Sequence, residues 1–133
     1  MIDCLEFDPD LRRLDPAEEI AFLALECERL GATHVADDLV ALYARGTGDP
    51  VPHALIHFYA SRCAAVRAQI AVWHLRDEAF AGESRKWRAR GHSYLADALR
   101  HARSALTSPG KLATSRGEAT PVYRGSTAPA PGR

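Results

Sequence analysis

Lysine is almost absent from this chain: Lys86 and Lys111 stand against fifteen arginines, and methionine occurs once. With abundant alanine, the arginine excess reads as codon bias rather than function. Cysteine is scarce too. Cys4, Cys27 and Cys63 are odd in number, widely spaced and form no Cys-x-x-Cys pair, which excludes a disulfide framework and suits reduced thiols. No apolar run approaches the length of a membrane span, and with an acid at the third position no signal peptide is expected. No internal repeat is present. These absences point to a cytoplasmic protein with no membrane partner.

What is present is a chain of 133 residues, enough for one domain, with 47% hydrophobic residues to build a core. Net charge is zero but unevenly spread. Residues 1–49 hold twelve acids and four bases, whereas residues 50–133 hold five acids and thirteen bases. Because the two excesses cancel, attraction between the halves within one fold is preferred to an anionic partner for the second half.

The pattern predicts a mainly α chain with a short N-terminal strand and a four-helix, bundle-like subdomain. Met1 to Asp8 reads as a buried strand ending on an acidic turn, and a lone strand is not stable by itself. The chain is therefore expected to open inside a larger domain. Asp15, Pro16 and Glu18 supply an N-cap, a first-turn proline and a capping box. The first helix would turn Ile20, Leu23, Ala24, Cys27 and Leu30 inward, with Glu26, Glu28 and Arg29 towards solvent, and stop at Gly31. Thr33 would cap a second helix with Val35, Leu39, Leu42 and Tyr43 inward, ended by the turn at Gly46–Pro50. A long third helix, about His53 to Phe80, would bury Leu55, Phe58, Tyr59, Ala65, Val66, Ile70 and Trp73. After a break at Gly82–Ser84, the fourth runs to about Leu106. It would face Trp87, Tyr94, Leu95, Ala98, Leu99, Ala102 and Leu106 inward and its arginines outward. Residues 108–133, rich in Thr, Ser, Gly and Pro, read as a disordered tail.

Few residues carry obvious chemistry. His53 and His57, four apart, share a helix face, a spacing that suits a transition metal, but no third ligand is evident. His92, His101 and Asp97 have a similar weak potential, and the expectation is incidental surface histidines. The arginines of the fourth helix lack interleaved exposed aromatics, so no nucleic-acid partner is expected.

Ile2-Asp3-Cys4-Leu5-Glu6-Phe7 followed by Asp15-Pro16-Ala17-Glu18-Glu19-Ile20-Ala21 resembles the metal-binding strand and next helix of the aminoglycoside phosphotransferase-like kinases. The similarity is to a bacterial group of predicted kinases often joined to a P-loop kinase domain. It continues through Ala21–Ala32, Tyr43–Asp49 and Phe58–Ala68, and covers roughly residues 1–106. It implies a truncated C-terminal lobe of a kinase-like domain over residues 1–107. It also implies ATP- and magnesium-dependent phosphoryl transfer to a hydroxyl of a small molecule. Asp3 would match the aspartate that ligates magnesium, a hard cation that takes carboxylate oxygen. Glu6 would be a lesser second acid at the cleft, and the acids of the first helices would suit a cationic acceptor. The sequence contains no His-Gly-Asp, and neither lysine lies on a strand. The resemblance therefore assigns no catalytic residue to this chain, and it implies inactivity without the missing N-terminal lobe. The alternative expectation is a free-standing helical interaction module without catalysis, either docking on a separate partner lobe or forming a dimer through its unpaired N-terminal strand.

Overall fold

The computed structural model describes residues 15–108. The expected strand, with Asp3 and Glu6, and the tail from Pro109 lie outside the described residues. Among those residues the chain is mainly helical, with four α-helices: α1 (Pro16–Arg29), α2 (Thr33–Thr47), α3 (His53–Arg76) and α4 (Ser84–Thr107).

Asp15 is extended (φ −67°, ψ 119°), and its Oδ1 accepts from the Ala17 N–H at 2.9 Å, so the helix start follows from local chemistry. Glu18 does not complete a capping box. Its carboxylate turns instead to Arg62 of α3, because a cross-helix guanidinium outcompetes a neutral backbone N–H. At the other end Gly31 adopts φ 79°. The N–H groups of Gly31 and Ala32 donate to the Glu28 and Cys27 carbonyls, both at 2.9 Å, closing a Schellman motif. Thr33 is already helical; the residue before it, Ala32, occupies the cap and offers no side-chain bond, contrary to the expected threonine cap. Gly48, at φ 71°, ends α2.

The third helix stops at Arg76, four residues before its expected end, because Asp77 caps a short 3-10 turn over Glu78–Glu83 that reverses the chain. Helices α3 and α4 then run antiparallel. His57 meets His101 at one end, Ser61 Oγ donates to the Ala98 carbonyl at 2.9 Å, and His74 stacks on Trp87 at the other end with ring centroids 3.9 Å apart. At 24 residues each, both are about 36 Å long.

The seam between them is built from small side chains. Ala60, Ala64, Ala68 and Ala71 of α3 are buried, and Gly91 and Tyr94 face them from α4. A methyl added at Gly91 would lie 3.5 Å from the Ala71 Cβ. This overturns much of the expected core. Phe58, Val66 and Trp73 of α3 are exposed, as are Leu95, Leu99 and Leu106 of α4. The reason is that apolar residues encircle α3, so spacing alone does not choose its inner face. The alanine row wins because it allows the closer approach.

The same preference operates in α1 and α2. α1 buries Ala17, Ala21, Ala24 and Leu25 while Leu23 and Leu30 are exposed; α2 buries Ala36 and Ala41 while Val35 and Leu42 are exposed. α1 lies over one side of the α3–α4 hairpin, and α2 packs on α1. Leu25, Val51, Ile56 and Tyr94 are the larger members of the core.

Gly91→Ala is expected to stabilise the fold by about 0.5–1 kcal/mol, because the added methyl makes an ordinary contact and raises helix propensity. Ala64→Leu, at a fully buried seam position, is expected to cost about 1–3 kcal/mol by overpacking. Urea denaturation of the two variants checks both signs.

Candidate functional site

The densest group of ionisable side chains lies where the C-terminal end of α1 crosses the hairpin. α1 delivers Glu26, Glu28 and Arg29; α3 delivers His53 and His57; α4 delivers Asp97, Arg100 and His101. Glu26 accepts from the Tyr94 hydroxyl at 2.9 Å. Arg29 pairs with Asp97, donates to Ser93 Oγ at 3.1 Å, and lies 3.6 Å from the centre of the Tyr94 ring. Arg100 bridges Glu28 at 2.9 Å and Asp97 at 3.2 Å.

His101 is the buried member, with 1% of its surface exposed. Its Nδ1 lies 3.0 Å from His57 Nδ1, and its Nε2 lies 3.4 Å from Glu28 Oε2. The second contact is an electrostatic one. Nε2 has the charge partner but no well-directed hydrogen bond. A carboxylate facing Nε2 favours the tautomer protonated there. Nδ1 of His101 then accepts, and His57 donates. His53 stands one turn from His57, with ring centroids 6.3 Å apart.

Polar contact from His101 holds the Glu28 carboxyl below the usual carboxylate range against the opposing effect of burial, and Arg100 adds to the lowering. Burial pushes the His57 imidazole down, and the neighbouring His101 and His53 push the same way. The line Glu28–His101–His57 has the order of a carboxylate-oriented imidazole pair. A pocket of about 200 Å³ lies elsewhere among the described residues, lined by Glu18, Phe22, Arg62, Cys63, Val66 and Arg67. Burial raises the Cys63 thiol there, which keeps it protonated and unreactive. The line acts as a clasp joining α1, α3 and α4.

The sequence reading of the histidines is corrected in one respect. His57 and His101 are not incidental surface residues, because antiparallel pairing brings positions 44 apart into hydrogen-bonding distance. His92 is exposed, as expected, and Asp97 serves Arg29 and Arg100. Glu28 and Arg29 do not face solvent but carry the clasp. The legible signal was the excess of acids before residue 50 and of bases after it. Among the described residues no three His, Cys, Asp or Glu side chains converge to enclose an ion. None of the helices there is long and apolar enough to cross a membrane.

The chain is similar to the uncharacterized proteins Rv2004c of Mycobacterium tuberculosis and Mb2027c of Mycobacterium bovis. It shares 43% identity with each over 70 residues, 53% of this chain. It spans only 14% of the length of either relative. No family model matches the sequence, and no solved structure matches it.

Acidification is expected to loosen the clasp in two steps. The folded state disfavours protonated His57, so stability is full above its ordinary value of 6.5 and falls as pH drops below that value towards the folded one. Glu28 contributes above 4.5, and that contribution is lost as pH falls further through its lowered value. Urea midpoints measured from pH 8 to pH 3 should show both losses, and His57→Ala should remove the upper one.

Proposed function

We propose that this chain is the helical part of the C-terminal lobe of an aminoglycoside phosphotransferase-like kinase. The observation that carries the reading is the ordered series from Ile2-Asp3 through the Asp15-Pro16 helix start into Phe58–Ala68. An all-helical unit following that start agrees with it.

In this reading Asp3 is the magnesium ligand of a parent reaction that moves the terminal phosphoryl group of ATP to a hydroxyl of a small molecule. A carboxylate there would suit the hard cation, which would supply positive charge against the charge developing on the phosphoryl group. The helices described above would form the acceptor side, where exposed acids such as Glu19 favour a cationic acceptor. The nucleotide lobe, the base aspartate and the second metal ligand would come from elsewhere. The 133 residues alone therefore bind no nucleotide stably and transfer no phosphoryl group.

The exposed apolar residues of α3 and α4 favour a second reading, a free-standing helical interaction module without catalysis.

Fusing the corresponding upstream lobe of a relative to Met1, or adding it in trans, should produce magnesium-dependent ATP binding measurable by calorimetry, and Asp3→Ala should abolish it. A folded fusion that binds no ATP would overturn the kinase reading.

A further inference from the structure

The side of the α3–α4 hairpin opposite α1 is apolar and exposed. On α3, Phe58, Ala65 and Val72 recur every seven residues, and all three are exposed. On α4, Leu95, Leu99 and Leu106 fall within about 40° of arc, and they are 54%, 53% and 82% exposed. The α4 residues that meet α1, Ser93, Asp97 and Arg100, lie roughly half a turn away. Tyr59 and Arg67 of α3, which meet Asp15 and Phe22, also point away from the stripe on their helix. Antiparallel packing then sets both stripes on one side of the hairpin. The result is a two-helix apolar face.

Charge chooses what fits that face. α3 contains no acid, and α4 contains only Asp97, which is held by Arg29 and Arg100 on the α1 side. By helical spacing Arg76 of α3 and Arg85, Arg88 and Arg103 of α4 border the stripes, and among the described residues they make no ion pair, nor do Arg45, Arg67 and Arg90. The acids without an ion pair or hydrogen bond there are Glu19, Asp37, Asp38 and Glu78. A face with this basic rim repels its own copy, which argues against a two-fold contact of hairpin on hairpin. It suits an exposed amphipathic helix with carboxylates, and α2 is one. Its inner side, Ala36 and Ala41, packs on α1, while Val35, Asp38 and Leu42 are exposed. α2 touches α1, and the apolar stripes lie on the far side of the hairpin from α1. One chain cannot bring its own α2 to its own stripes.

We propose that a second copy of this chain docks its α2 onto the α3–α4 face, with Val35 and Leu42 over Phe58, Leu95 and Leu99 and with Asp38 towards the arginine rim. The contact is head-to-tail, so each copy keeps one donor and one acceptor surface. This rests on the interaction-module reading and is independent of the kinase one.

Sedimentation velocity tests it on the full chain. The average mass should rise from micromolar to near-millimolar protein, and association should weaken by roughly tenfold in high salt. A chain carrying Leu95→Glu and Leu99→Glu, and another carrying Leu42→Glu, should each be monomeric alone. Mixed together they should form a one-to-one dimer and nothing larger, because one supplies α2 and the other the hairpin face. All three positions are exposed, and circular dichroism confirms that the variants fold. If the wild-type chain stays monomeric throughout, the proposal and the module reading both fail. If it associates but the variants do so equally, the module reading stands and this interface is wrong.

Discussion

The close approach of α3 and α4 is the constraint on which the rest of the fold depends. Alanines at 60, 64, 68 and 71 leave no long side chain between the helices, and Gly91 of α4 sits against Ala68 and Ala71. Two helices held this close gain dispersion contacts along their whole length. The cost is that little large apolar surface is buried at the seam, so the bigger side chains are turned outward. The exposed leucines of α4 and Phe58 of α3 are the other side of the same choice.

A seam of small residues gives a thin core, and polar contacts supplement it at the α1 crossing. Helices α1 and α4 do not approach closely through their backbones; long side chains span the gap. Arg29 to Asp97, Glu26 to Tyr94 and Glu28 to Arg100 fasten one helix to the other. Isolated exposed pairs contribute little, but these are partly buried and share members, and Arg29 also lies on the Tyr94 ring. Burying His101 inside the group is tolerable because His57 and Glu28 face its two ring nitrogens.

Chemistry and structure separate in this chain. The residue that the kinase resemblance singles out, Asp3, precedes the described helices, whereas the ionisable cluster lies within them and joins α1, α3 and α4. That division suits both readings of the helical unit's role: a lobe that positions another segment's chemistry, or a module that binds through its faces.

Much of the helix layout was legible in the sequence. Asp15-Pro16 and Gly31 act within a few residues, so local chemistry places the start and stop of α1. Gly48 acts similarly, but the break after α3 falls at Asp77 and not at Gly82, which lies inside the 3-10 turn. The inner faces were not legible, because α3 is apolar all round and α4 offers leucines on one side and Tyr94 with Gly91 on another. A periodicity argument prefers the larger residues, whereas packing preferred the smaller. The His57–His101 pair was hidden for a related reason: residues 44 positions apart meet only when the hairpin sets its register. The sequence by itself thus determined the start and stop of α1 and the stop of α2, since caps and turns are short-range. Only the tertiary structure decided which faces meet and which charges pair, since those depend on how closely two helices can approach.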